Sequence, residues 1–345
     1  MAWSPSAALR FAAGAVVAVA AAYAVSEVVD PVHPEVRERV AIFRERMPRV
    51  EAVAVGNSHG GAIDFDALGV TGMHFSMAGQ DAFEGAFLVR YAAGAPRLRY
   101  VLFGLSYGLQ RGDHALVARG TDLRSRRRKL YARIPLQRPI EGDRTLWIQG
   151  VLSPIVRDDH WRGVVGRPFR ATPPLRFAAD GKGLGELSGP LGRDSLERYA
   201  ATVAALHARL GAETIELAPD TPGRVTVMLD SLARELRAKD VALVFYTPPY
   251  HETYLRWRDP AVVTETRAMM ARIVASNPNA VWLDYSTDPR FGARDELFNN
   301  SDHLNPTGAR TFSLLLRDCL RARLPGSGDG GAPPACPAAA FPAGR

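Results

Sequence analysis

The chain is short of lysine, of cysteine and of metal-ligand spacings. Only Lys129, Lys182 and Lys239 are lysines, so nearly all of the 43 basic residues are arginine. A net charge of +7 permits a polyanionic partner without requiring one. Two cysteines, Cys319 and Cys336, cannot build a disulfide framework, although one bridge between them can form outside a reducing compartment. No Cys/His cluster has structural zinc spacing, so neither a metal nor another cofactor is expected. No Gly-x-Gly-x-x-Gly follows the first expected strand, which argues against a dinucleotide fold. The basic run Arg124, Arg126, Arg127, Arg128 and Lys129 has no interleaved aromatic residues, so it argues against nucleic-acid binding. It reads first as a solvated helix face, with contact to anionic lipid or glycan as the sharper alternative.

Long apolar runs are scarce as well. The one uninterrupted run is Phe11–Val25, behind Arg10 and ahead of Glu27. It predicts export, either through an uncleaved N-terminal anchor across residues 1–30 or through a signal segment cleaved after Ala22-Tyr23-Ala24. The body would then lie outside the cytoplasm: on the cell membrane if anchored, secreted or periplasmic if cleaved. Residues 325–345 are rich in Pro, Gly and Ala without periodicity and predict a disordered tail. The remaining 31–324 is long enough for one α/β domain that buries roughly three quarters of its unfolded surface.

Five short apolar runs alternate with helical patterns. The strands are expected at Glu51–Gly56, Met73–Met77, Tyr100–Ser106, Val241–Thr247 and Ala280–Tyr285. Continuous apolar runs of this kind suit a parallel sheet covered on both faces. Helices are expected at Asp81–Ala93, Ser195–Leu210, Val227–Ala238 and Pro260–Ala275. A last helix opens at Asn305-Pro306 and runs to about Ala322. Residues 108–193 break the alternation and predict a long insertion after the third strand, acting as a lid or side wall.

Two places carry chemistry. Ser58 follows the first strand in Val-Gly-Asn-Ser-His-Gly-Gly, at the carboxyl end where open α/β sheets build their sites. Its glycines allow close approach and leave backbone N–H groups to meet an oxyanion. His303 precedes the last helix in Asn-Ser-Asp-His-Leu-Asn-Pro and could take the Ser58 proton. Either Asp302 or Asn300 could orient its ring; the carboxylate is the better partner chemically, because it stabilises an imidazolium. Asn57, His59, Ser106, Tyr107 and His251 are candidates for substrate or oxyanion contact along the same rim.

These blocks resemble the SGNH (GDSL-like) hydrolase superfamily. Gly56-Asn57-Ser58-His59 is similar to its first block, with Ser58 as nucleophile, and Asp302-His303-Leu304-Asn305-Pro306 to its last, with His303 as base. Ser76-Met77-Ala78-Gly79-Gln80 resembles the second block, where Gly79 would lend its N–H to the oxyanion. Asn300 stands where the family usually has Asp, and Gly104-Leu105-Ser106-Tyr107 lacks the third-block Asn. The departures resemble the membrane-anchored branch of teichoic-acid D-alanyl transfer and alginate-type O-acetyltransfer proteins. The resemblance implies a three-layer α/β/α, flavodoxin-like sandwich. It also implies a serine-dependent esterase or O-acyltransferase on an exported or envelope carbohydrate ester, partnered by the membrane and an acyl-donating membrane protein. The alternative is a catalytically degenerate domain that binds polysaccharide or scaffolds an envelope complex.

Overall fold

The computed structural model describes residues 4–29, 34–117, 122–152, 178, 180, 182, 192–323 and 336. Five strands form the central sheet: β1 (Ala52–Gly56), β2 (Gly72–His74), β3 (Tyr100–Gly104), β4 (Ala242–Thr247) and β5 (Ala280–Asp284). All pair in parallel in the order β2-β1-β3-β4-β5. This is the three-layer, flavodoxin-like arrangement, with helical insertions after the third strand. Each expected strand is found within a few residues.

Strand periodicity sorts the two faces. Ala52, Ala54, Leu102, Val244, Tyr246, Val281 and Leu283 share one core with Phe312, Leu316 and Cys319 of the last helix (Pro306–Arg323). Val53, Val55, Val101, Phe103, Leu243 and Phe245 are the alternate residues, all fully buried on the other face. There Gly85, in the helix Ala82–Ala92, lies so near the Phe103 ring that a Cβ would come within 2.7 Å of it. Asp81 caps that helix by accepting from Glu84 N at 2.9 Å. Cys319 is joined to Cys336 by a disulfide. The other tail residues expected to be disordered lie outside the described residues.

The chain divides into two compact units, Met1–Val40 with Gly120–Leu175, and Ala41–Arg119 with Arg176–Arg345. The sheet belongs to the second. The first contains helices Asp122–Arg133 and Arg144–Val151, which cross at Gly150; a Cβ there would meet Arg128 O at 2.5 Å and Tyr131 Cβ at 2.8 Å. The solvated reading of the basic run is corrected here. Arg124 is exposed, but Arg126 and Arg127 are buried, and Arg127 Nη1 lies 3.2 Å from Asp143 Oδ2. Tyr131 donates to the same oxygen at 2.7 Å.

The N-terminal expectation is corrected too. Pro5–Val29 is helical, yet among the described residues no helix is long and apolar enough to cross a membrane. The uninterrupted apolar stretch is only Phe11–Val25, about 22 Å of helix against a hydrocarbon core of about 30 Å. The membrane anchor, the membrane partner and the cell-membrane location that rested on that anchor are therefore corrected.

Candidate active site

Strand β1 ends on Gly56, whose φ of 115° and contact with Gly104 O exclude any side chain. Gly56 N donates to Gln80 Oε1 at 2.7 Å, and Gln80 Nε2 donates to Phe75 O at 2.9 Å. Buried Gln80 thus clamps the ends of β1 and β2 together. The chain then enters a tight turn, Ser58–Ala62. Asn57 caps it by accepting from His59 N at 3.0 Å, while its Nδ2 donates to Ser106 Oγ at 2.8 Å. Gly60 sits against Ser76, with no room for a Cβ. Ser58 is left half-buried at the carboxyl edge of the sheet.

A hairpin absent from the sequence expectations brings the base. Strands β6 (Phe298–Asn300) and β7 (His303–Leu304) pair antiparallel, with Asn300 opposite His303. The Ser301-Asp302 turn is held by His251 N donating to Ser301 O at 3.0 Å. Asn305 accepts from Gly308 N at 3.0 Å and starts the last helix.

His303 Nε2 lies 2.6 Å from Ser58 Oγ. Its Nδ1 lies 2.7 Å from Asp302 Oδ1 and 2.9 Å from Asn300 Oδ1. Asn300 Oδ1 also accepts from Asp302 N at 3.2 Å, which identifies that atom as the oxygen. Both partners of Nδ1 are acceptors, so we assign the proton to Nδ1 and leave Nε2 to accept from Ser58. The two orienters that the sequence left open thus meet the ring together. The turn of the hairpin overcomes the usual divergence of adjacent side chains.

The network runs from a part-exposed end to a buried one. The His303 side chain is 24% exposed and that of Asp302 2%. Burial alone would raise the Asp302 pKa. The charge of His303 and hydrogen bonds from His303 and His59 outweigh it and hold the carboxyl well below the usual range. His59 Nε2 lies 3.3 Å from Asp302 Oδ2. The His59 ring stacks on His303 at 4.7 Å and meets Tyr250 edge-on at 5.4 Å. Its burial lowers its proton affinity, opposed by the nearby Asp302 carboxylate.

One ligand atom each from His59, Asp302 and His303 lie within 4.8 Å of one another. Both His303 nitrogens are already aimed at Ser58 and Asp302, so a cation here would compete with those bonds. Ser58, His303, Asp302, Asn300, His59, Asn57 and Ser106 come together. Tyr107 and His251 bond elsewhere. Tyr107 donates to Asp284 Oδ2 at 2.6 Å, and buried His251 is 2.9 Å from Asp295 Oδ1 through Nε2 and 2.9 Å from Thr253 Oγ1 through Nδ1. Gly79 occupies a turn at φ 63°. Gln80 was missed as a support, because nothing local in the sequence marks a residue that acts across the sheet. A buried His/Asp cluster at the edge of an α/β sheet is compatible with catalytic chemistry, while no acyl-binding site is evident among the described residues.

In comparisons with known proteins, no family model, no curated protein and no solved structure matches this chain. Membership of the SGNH superfamily is therefore corrected: the likeness lies in a few short blocks on a widely shared topology, and the established finding is the fold itself.

Proposed function

We propose that Ser58 is the nucleophile of an acyl hydrolase or acyl transferase, with His303 as its general base and Asp302 as the orienting carboxylate. The 2.6 Å contact between His303 Nε2 and Ser58 Oγ carries this reading. Ser58 Oγ attacks the carbonyl of an ester while its proton passes to His303 Nε2. The imidazolium that forms faces Asp302 and the Asn300 carbonyl. The tetrahedral oxyanion would be met by the Ser58 N–H and the Ser106 hydroxyl, which accepts from Asn57 and keeps its own hydrogen to give. Collapse breaks the ester C–O bond, and His303 returns the proton to the departing alcohol. Water, or a second alcohol, then attacks the acyl-serine while His303 takes its proton, and His303 returns that proton to Ser58 Oγ as the acyl–Oγ bond breaks and the acid or new ester leaves.

A second reading is a domain that binds a ligand at this edge without turning it over. It is favoured by the absence of an evident acyl-binding site among the described residues and by the self-contained buried His/Asp cluster. A serine-directed fluorophosphonate separates the two. Wild-type protein should be labelled at Ser58, and Ser58→Ala should abolish labelling with the fold intact. A folded wild type that neither labels nor hydrolyses simple esters would establish the binding reading.

A further inference from the structure

We infer that His59 is a positioning residue for the proposed Ser58–His303 chemistry, acting as the second imidazole on Asp302. The inference rests on that reading and adds a role for a residue the relay itself does not use.

The His59 side chain is 1% exposed, so it does not meet substrate as the sequence suggested. A buried imidazole needs a polar partner. The nearest is Asp302, whose two oxygens are divided: Oδ1 is 2.7 Å from His303 Nδ1, and Oδ2 is 3.3 Å from His59 Nε2, within ion-pair reach but off hydrogen-bond alignment. An ionised carboxylate only accepts, so Nε2 of His59 carries the proton and Nδ1 the lone pair. A proton on Nε2 faces Oδ2 and favours the carboxylate orientation that keeps Oδ1 on the His303 ring. Stacking supplies the second constraint. The two imidazoles lie 4.7 Å apart with 27° between their planes, so neither ring can swing without displacing the other. A neutral His59 also fits beside a base that becomes cationic during the reaction; two stacked cations would repel. The titratable groups facing His59 are Asp302, His303 and Tyr250, and only the first offers it an acceptor. The sequence already ties His59 to the nucleophile, since the Asn57 side chain accepts from His59 N in the turn that presents Ser58.

The test uses the full chain with 15N-labelled histidine. His59 should appear as the neutral Nε2–H tautomer, and His303 Nδ1–H as a hydrogen-bonded, strongly downfield proton. His59→Phe keeps a ring but no donor. It should lose the downfield His303 signal and lower kcat by about 10²-fold with KM little changed. His59→Gln places an amide donor near the Nε2 position and should restore both. An Nδ1–H tautomer at His59 would overturn the inference. So would a His59→Phe protein with the His303 signal of wild type, or a folded His59→Gln protein as impaired as His59→Phe. If the catalytic reading fails, wild-type Ser58 is unlabelled, yet the tautomer and the His303 signal still judge the role of His59.

Discussion

Two buried carboxylates in this chain have similar company and opposite prospects. Asp143, in the insertion, receives the Arg127 guanidinium and the Tyr131 hydroxyl on one oxygen. Asp302, at the sheet edge, lies between two imidazoles, and the His303 ring that it orients also meets the Asn300 carbonyl. A guanidinium keeps its proton at any physiological pH, and burial beside Asp143 pushes the Tyr131 hydroxyl far above its ordinary pKa. No proton moves there, so the cluster only holds helices together. An imidazole offers one ring nitrogen as donor and the other as acceptor, and His303 passes the influence of Asp302 outward to a half-buried hydroxyl. A buried acid becomes useful when its partner can relay a proton and leads to the surface.

The contrast can be broken from either side. Asp302→Asn keeps the shape and removes the charge, so it should slow acylation of Ser58 by about 10⁴-fold, read by the rate of probe labelling. Asn300→Ala should cost less, since a neutral acceptor stabilises an imidazolium less than a carboxylate does. Asp143→Ala should do the reverse. It removes the carboxylate that faces the buried Arg127 guanidinium and the Tyr131 hydroxyl and should lower the denaturant midpoint, with labelling per folded molecule unchanged. Equal effects of both substitutions on labelling would erase the distinction.

Acid supplies the smallest and most graded test. Burial depresses the proton affinity of His59, and of His251 despite Asp295, below the ordinary histidine value of 6.5. The unfolded chain therefore binds more protons than the folded one below that pH. The stability these residues contribute is full above pH 6.5 and is lost as pH falls through their lower folded values. Asp302 acts with the same sign further down: its contribution is full above its ordinary 3.8 and fades as pH falls below. Denaturant midpoints measured from pH 7.5 to 3 should fall in these two stages, and His59→Gln should flatten the first.

Much of this was legible because it is local. Strand runs such as Val241–Thr247 and Ala280–Tyr285 announce themselves in a few residues, and Asn305-Pro306 marks a helix start wherever it occurs. Ser58 and His303 could be brought together because topology sends the end of β1 and the start of the last helix to one edge. The hairpin at Phe298–Leu304 was not legible, since its strands are too short for any periodicity. Nor was the fate of Arg126 and Arg127, because burial of an arginine depends on a carboxylate sixteen residues away. The role of His59 is of the same kind: its nearest neighbour in sequence hides a partner near the other end of the chain. The apolar N-terminus misled for the opposite reason, composition speaking louder than length.

The disulfide between Cys319 and Cys336 closes a loop with a sequence separation of 17. Its inner end is buried in the helix that follows directly from His303 and packs under the sheet. The loop therefore behaves as a latch: a peptide bond broken within 320–335 would produce two pieces that still travel as one molecule. Intactness judged without reductant would then report the latch and not the backbone, and only a reduced sample would reveal the nick.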